Sequence, residues 1–180
     1  MRNAIITATL LAAVSSPAWA EEFTCRGTVG AVALDNVFVP DGATCLLQRT
    51  RLTGSIVVGT GATLLATSVT VNGNIQAEGA NAVTVGGASI IGGSVQIVQG
   101  GSATVDRARI NGDLYFDENR APVAASRNIV GGNLQAFNNT GGVRLEGNRM
   151  NGNLQCKANM PAPTGAGNVS PSKEDQCARL

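Results

Sequence analysis

The side chains that could do chemistry in this sequence are carboxylates, arginines and a single tyrosine, because the chain contains no histidine. A Ser-His-Asp triad, a Cys-His pair and a histidine-built metal site are therefore excluded. The remaining candidates are concentrated in "DRARINGDLYFDENR" (106–120) and in the two repeats that follow it. They are Asp113, Tyr115, Arg107, Arg109, Arg127 and Arg149.

Amide side chains form a second candidate set, because they recur at regular spacing. They are Asn74, Gln76, Gln96, Asn133, Gln135, Asn153 and Gln155. Evenly spaced amides on one face could bind a repeating polymer such as a glycan. They could also hydrogen-bond to copies of themselves along a stacked column, as in cross-β structures, and we favour this second interpretation. Aromatic residues make up only 3% of the chain, which argues against strong sugar binding by ring stacking.

These polar residues belong to a short phrase that the sequence repeats. Its copies are "LTGSIVV" (52–58), "VNGNIQA" (71–77), "IGGSVQI" (91–97), "INGDLYF" (110–116), "VGGNLQA" (130–136) and "MNGNLQC" (150–156). Their central glycines are 19 or 20 residues apart. In every copy the positions two before, two after and four after the glycine are apolar, and the positions between them are mostly polar. This period of two predicts a half-buried strand.

A second short strand is predicted seven to nine residues before each of these glycines, so the unit holds two or three strands and no helix. One such unit cannot bury its own inner face, whereas stacked units form a continuous core. An earlier unit is visible at 34–40 and a degraded one at 173–177. The sequence therefore predicts an all-β, single-stranded, right-handed parallel β-helix of about seven coils of 19–21 residues. A β-sandwich or barrel is the alternative, but it would not produce such regular columns.

The four cysteines allow three pairings in an oxidising environment. Cys25 and Cys45 are 20 residues apart, and Cys156 and Cys177 are 21 apart, so each pair is separated by one coil. Residues one coil apart stack within the Cα distance that a disulfide accepts. We therefore predict one disulfide at each end of the column. A four-cysteine zinc site would require the two ends to meet.

The first twenty residues have the pattern of a cleaved export signal. Arg2 precedes an apolar run (4–14), and Ala18 and Ala20 offer a small-residue cleavage site. The remainder (21–180) is expected to be a single β-helix domain with disulfide-clipped ends, periplasmic or secreted, and not membrane-spanning. Without Arg2 the 13 basic residues become 12, which equals the 12 acidic ones, so a nucleic-acid partner is not expected.

The repeated x-N-G-N-[IL]-Q phrase resembles right-handed parallel β-helix repeat proteins exported by bacteria, over roughly residues 34–177. More loosely, the coil length and aliphatic inner columns resemble bactofilins, which form filaments. Bactofilins are cytoplasmic and lack terminal disulfides. β-Helix polysaccharide lyases use Asp and Arg on such a surface, sometimes with Ca²⁺, which implies a sugar-acid lyase as the enzymatic hypothesis. We favour the interpretation that these residues are ordinary surface charges, because turns whose lengths vary by only one residue do not build a cleft.

The functional prediction is a non-enzymatic exported structural or surface-interaction β-helix without cofactor or metal. The alternative is a binding module for a cell-wall or extracellular polysaccharide along the Asn/Gln face, and a lyase is third. The expected partners are accordingly a polysaccharide, another cell-envelope component or a second copy of the chain.

Overall fold

The computed structural model describes residues 22–180, and the predicted signal segment (1–20) lies outside them. The described chain is an all-β, right-handed parallel solenoid of about eight turns that winds around three sheets. All pairings between its strands are parallel, each to the strand one coil away. The predicted fold class is confirmed, and the predicted seven coils are close to the observed number.

The three sheets are built from strands taken in turn from each coil. Sheet A consists of Glu22–Thr24, Asn36–Val39, Ile56–Val58, Ile75–Glu78, Val95–Val98, Leu114–Asp117, Leu134–Phe137, Leu154–Lys157 and Lys173–Asp175. Sheet B consists of Gly27–Val29, Thr44–Gln48, Thr63–Thr67, Ala82–Gly86, Ser102–Asp106, Val123–Ser126, Val143–Glu146 and Thr164–Ala166. Sheet C consists of Ala33–Leu34, Arg51–Leu52, Thr70–Val71, Ile90–Ile91, Arg109–Ile110, Ile129–Val130 and Arg149–Met150.

The core is a stack of aliphatic columns, because the apolar positions of each repeat all turn inward. Ile75, for example, pairs with Ile56 on one side and with Val95 on the other, and all three side chains are buried. The eighteen apolar positions of the six repeated phrases are buried. Placing like residues above like gives each coil the inner surface that it cannot bury alone.

Sequence patterns missed two parts of this architecture. Sheet C has strands of only two residues, too short for an alternation to be visible. The coil that begins at Glu22–Thr24 lacks the repeated phrase, so the sequence placed the first coil at 34–40. Its inward residues are Cys25, which is buried, and the partly buried Val29 and Leu34.

The glycine of each phrase is required by the corner between sheets C and A. A Cβ built on Gly132 would lie 2.1 Å from Asp113 Oδ1, and one on Gly73 would lie 2.2 Å from Ser55 Oγ. Both oxygens belong to the residue that follows the glycine of the preceding coil. The phrase therefore combines a glycine with a polar residue because the polar side chain of one coil occupies the Cβ space of the next.

Two disulfide bonds clip the ends of the column. They join Cys25 to Cys45 and Cys156 to Cys177, with Cα–Cα distances of 5.5 and 5.2 Å. This is the pairing that the one-coil spacing predicts. Two disulfides are typical of a protein from an oxidising compartment. Within residues 22–180, no helix has the length and apolar character needed to cross a membrane.

Candidate functional site

The polar residue after each repeat glycine belongs to a side-chain ladder along the corner between sheets C and A. Its members are Asn36, Ser55, Asn74, Ser94, Asp113, Asn133 and Asn153. The side-chain oxygen of every member except the last, Asn153, accepts a hydrogen bond from the backbone N–H of the next, at 2.6–3.0 Å. Of the predicted binding residues, Asn74, Asn133 and Asn153 therefore lie in this ladder, and the oxygens of Asn74 and Asn133 are already engaged.

The glutamines form a separate column on the outer face of sheet A. Gln76, Gln96, Tyr115, Gln135, Gln155 and Glu174 follow one another in register. Gln135 Nε2 donates to Gln155 Oε1 (2.6 Å), and Gln155 Nε2 donates to Glu174 Oε2 (2.7 Å). Gln76 and Gln96 are exposed and form no side-chain hydrogen bond with any described residue. The column therefore has two parts. The side-chain amides of Gln76 and Gln96 are free of hydrogen bonds to the described residues, whereas Gln135, Gln155 and Glu174 form a hydrogen-bonded ladder.

Tyr115 separates the two parts of the glutamine column. Its hydroxyl donates a hydrogen bond to Asp117 Oδ2 (2.8 Å), and its ring meets Phe137 edge-on at a centroid distance of 5.9 Å. Partial burial of the ring, reinforced by the bond to Asp117, raises the pKa of Tyr115 to about 12. The raised pKa keeps the phenol a hydrogen-bond donor to a higher pH than an ordinary tyrosine.

The charged segment does not converge on one site. Asp106 binds Arg107 and Arg127, each at 2.8 Å, at the corner between sheets B and C. The hydrogen bond from Arg127 is the main cause that lowers the pKa of Asp106, and it raises that of Arg127. Asp113 lies at the next corner, between sheets C and A, where its carboxylate accepts the Asn133 N–H. The candidates for acid–base chemistry are thus on different edges of the coil.

Two further ladders of buried asparagine were not identified from the sequence. The ladder between sheets A and B contains Asn119, Asn139 and Asn159, and the ladder between sheets B and C contains Asn128, Asn148 and Asn168. In each, Nδ2 donates to the Oδ1 of the next asparagine at 2.9 Å. Each donates as well to a backbone carbonyl at 2.7–3.2 Å. The sequence signal that could have revealed them is their spacing. Asparagines within one ladder are 20 residues apart, and each member of the first ladder is followed nine residues later by a member of the second.

A left-handed residue precedes each asparagine of these ladders. Arg127 (φ 54°) precedes Asn128, and Asn138 (φ 52°) precedes Asn139. This conformation turns the chain at the corner and brings the next side chain inside. There, Asn128 N–H donates to Asn148 Oδ1 (3.0 Å), so the amide replaces the strand partner that the corner backbone lacks.

The ladders end differently at the two ends of the molecule. At the last coil, Gln176 Oε1 accepts from both Asn159 N–H (2.9 Å) and Asn159 Nδ2 (3.2 Å). In earlier coils the corner between sheets B and C holds Thr50, Val69, Ser89 and Ala108 instead. The corner between sheets A and B there holds Ala80 and Gly100. All buried side-chain polar atoms of residues 22–180 have a hydrogen-bond partner.

The Cys, Asp and Glu side chains among the described residues form no group of three or more suited to a metal ion. No protein-family model matches the sequence, and neither a curated protein nor a solved structure matches it. What the chain does must therefore be inferred from its own residues.

Proposed function

We propose that the chain is a non-enzymatic, exported structural or surface-interaction module. The observation that carries this proposal is that three side-chain ladders run along the column. In each ladder, polar side chains of one coil form hydrogen bonds with groups of the next coil. Such ladders specify register and resist bending, which suits a rigid column that presents long faces to other molecules. The disulfides at both ends support a role in an oxidising compartment.

The engagement of the candidate catalytic groups supports a non-enzymatic role. Asp113 holds the backbone of the next coil, and Asp106 holds two arginines. A general base needs its lone pairs directed at substrate, whereas these carboxylates are directed at the protein. Lyase activity remains the third candidate function of the chain.

The resemblance to exported bacterial β-helix proteins fits this proposal better than the looser resemblance to bactofilins. End-to-end filament growth would continue both the sheets and the side-chain ladders from one copy into the next. Here the last coil carries Gln176 and Glu174, whose side chains close the ladders, and a disulfide fixes the segment that bears them. We therefore expect the chain to stay monomeric at high concentration, as measured by light scattering. Mass that grows with concentration without a limit would favour the filament.

Co-sedimentation with insoluble cell-wall material and extracellular polysaccharide tests the proposal. We expect the disulfide-intact chain to enter the pellet while no soluble sugar is released. The Asp113→Asn variant keeps an oxygen for the Asn133 N–H and is the matched control. If the wild-type chain releases soluble fragments and this variant does not, the chain is an enzyme and the proposal is wrong.

A second candidate, glycan binding along the glutamine column, is favoured by the free amides of Gln76 and Gln96. A flat polymer that contacts this face should lose affinity in the double variant Gln76→Ala/Gln96→Ala without any change in the midpoint of unfolding. Gln135→Ala is the control, because Gln135 already bonds to Gln155 and its loss should affect stability first. Equal affinity of the double variant and the wild type would exclude these residues.

A further inference from the structure

The outer face of sheet C carries arginines that form no ion pair within residues 22–180. Its central column is, in register, Ala33, Arg51, Thr70, Ile90, Arg109, Ile129 and Arg149. Arg49, Arg107 and Arg127 lie along the adjoining corner with sheet B. We call these six arginines and the sheet between them the basic face. Arg49, Arg51, Arg109 and Arg149 form no ion pair with any residue in 22–180.

Few carboxylates accompany the basic face. Asp106 lies between Arg107 and Arg127, Glu146 pairs with Arg144 on sheet B, and Asp35 lies beside the first coil, where Thr53 donates to it. Asp113 lies at the corner that the basic face shares with sheet A, and most other acidic residues lie on sheet A or at its corner with sheet B, at Asp41, Glu78, Asp117, Glu118 and Glu174. A chain whose formal net charge is only +1 is thus basic on one side and acidic on another.

The two charged sides differ in how far their groups are already satisfied. Asp117 accepts hydrogen bonds from Tyr115 and Asn138, and Glu174 accepts from Asn153 and Gln155. Glu118 accepts from Gln99. Arg49, Arg51, Arg109 and Arg149 have no comparable side-chain partners in the described part of the chain. Neutral donors thus occupy the carboxylates, whereas four guanidinium groups of the basic face have no acceptor among the described residues, and this favours an external anion over the acidic side of a second copy.

Neutral groups on the basic face suit a sugar polymer. Asn72, Asn111 and Asn151 are exposed along its corner with sheet A, and their side chains make no hydrogen bond to other described residues. Ile90 and Ile129 are 46% and 48% exposed between the arginines. Amides bind hydroxyl groups and the isoleucines offer apolar contact, while no aromatic residue is present on this sheet for stacking nucleic-acid bases.

We propose that the basic face binds an anionic polysaccharide laid along the column axis. The assignment rests on the proposed surface-interaction role and locates the contact on sheet C instead of the glutamine column. With strands about 4.8 Å apart, Arg109 and Arg149 are two coils, or about 10 Å, from each other. Arg51 lies a further three coils, or about 14 Å, along the same line. A linear polymer with repeating carboxylate or sulfate groups can meet several of these guanidinium groups, each of which accommodates an oxyanion with two parallel N–H donors.

Binding of the full disulfide-intact chain to soluble polymers tests this proposal. The probes are polygalacturonate for carboxylates, dextran sulfate for sulfates and unmodified dextran as the neutral polymer. The variant Arg51→Gln/Arg109→Gln/Arg149→Gln removes three charges from the basic face. The matched control, Arg120→Gln/Arg144→Gln/Arg179→Gln, removes three charges elsewhere. All six side chains are on exposed residues, and circular dichroism checks that both variants fold.

We expect the wild type and the control to bind at least one anionic polymer, with affinity that falls as salt rises, and to ignore dextran. The basic-face variant should bind at least tenfold more weakly. Three results would overturn the proposal. They are an equal loss of affinity in both variants, binding of dextran as tight as that of the anionic polymers, and no binding of either anionic polymer. Light scattering that grows at low salt without polymer and disappears in the basic-face variant would assign the face to a second copy instead.

Failure of this proposal can be told apart from failure of the proposed function. If neither anionic polymer binds but the chain still co-sediments with insoluble polysaccharide, the basic face is not the contact and the surface-interaction role stands. If the chain turns over a polymer in an Asp113-dependent manner, the proposed function fails regardless of which face binds.

Discussion

The corners that flank sheet B are built in two ways within one molecule. In the later coils they contain buried asparagines that bond to each other, whereas in the earlier coils the same positions hold Thr50, Val69, Ser89 or Ala108 on one side. The backbone turns through a left-handed residue in both parts, at Arg49 and at Arg127 for example. One corner geometry is therefore compatible with apolar, hydroxyl or amide side chains.

The difference shows what a buried amide requires. An asparagine amide carries both donors and an acceptor, so inside the core each of these groups needs a partner. The ladders therefore occur as uninterrupted runs, and Gln176 accepts from the last asparagine of one of them. Ser89 needs no run, because its hydroxyl bonds to Gly86 O (2.6 Å) within its own turn and accepts the Val69 N–H (3.1 Å).

The largest expected effect comes from breaking a ladder at its middle. Asn148→Ala removes the acceptor of the Asn128 N–H, one of the two acceptors of Asn128 Nδ2, and the side-chain donor to Ala125 O. Because each buried unpaired group costs about 1–3 kcal/mol, we expect the free energy of unfolding to fall by about 4 kcal/mol. Ser89→Ala, at the same corner in an earlier coil, should cost about 2 kcal/mol. Urea denaturation measures both, and equal losses would contradict the distinction between the two parts.

Removing a terminal disulfide should have the next largest effect. Cys156→Ala/Cys177→Ala and Cys25→Ala/Cys45→Ala open loops of nearly equal length, so each should lower the free energy of unfolding by about 3 kcal/mol. The two variants should differ in local protection. Loss of the C-terminal bond frees the segment that carries Gln176, so the Asn159 amide should exchange faster, whereas loss of the N-terminal bond should leave that amide unchanged. Hydrogen exchange checks this, and equal behaviour of Asn159 in both variants would refute it.

Substitution of the repeat glycine should affect both parts of the molecule equally. Gly73→Ala places its Cβ 2.2 Å from Ser55 Oγ, and Gly132→Ala places its Cβ 2.1 Å from Asp113 Oδ1. We expect a loss of about 2 kcal/mol for each, from the cost of overpacking. Gly86→Ala is the control, because its nearest neighbour would be 3.6 Å away and its stability should change little. A marked difference between Gly73→Ala and Gly132→Ala would show that the corner between sheets C and A is not uniform.

The smallest expected effect concerns Tyr115, which lies between the free and the laddered glutamines. Because its pKa is raised from the usual value near 10 to about 12, the neutral phenol stabilises the folded state below pH 10. That contribution is lost as the pH rises from about 10 to about 12. Tyr115 is the only tyrosine, so the absorbance of tyrosinate follows it directly. Half-ionisation near pH 10 in the folded chain would contradict this account. Asp117→Asn should lower the midpoint without restoring the usual value, since partial burial of the ring persists.

The sequence predicted the parts of the structure that depend on the alternation of apolar and polar residues within a strand and on the 19–21-residue spacing between coils. The strands of sheets A and B, the inward columns such as Ile56, Ile75 and Val95, and the one-coil separation of the cysteines all follow from those two signals. The asparagine ladders were missed because Asn128 and Asn148 look like turn residues in isolation. Their burial depends on a partner one coil away. The glutamines were expected in one column, but Tyr115 divides that column into parts with different bonding.

Native-state hydrogen exchange of two buried corners tests most directly whether the amide ladders lock the later coils. The Asn128 N–H donates to Asn148 Oδ1, and the Val69 N–H donates to Ser89 Oγ at the same corner of an earlier coil. We predict that the Asn128 amide exchanges only through cooperative opening of several coils, and more slowly than the Val69 amide. Exchange of Val69 that is as slow as that of Asn128, or slower, would contradict the account.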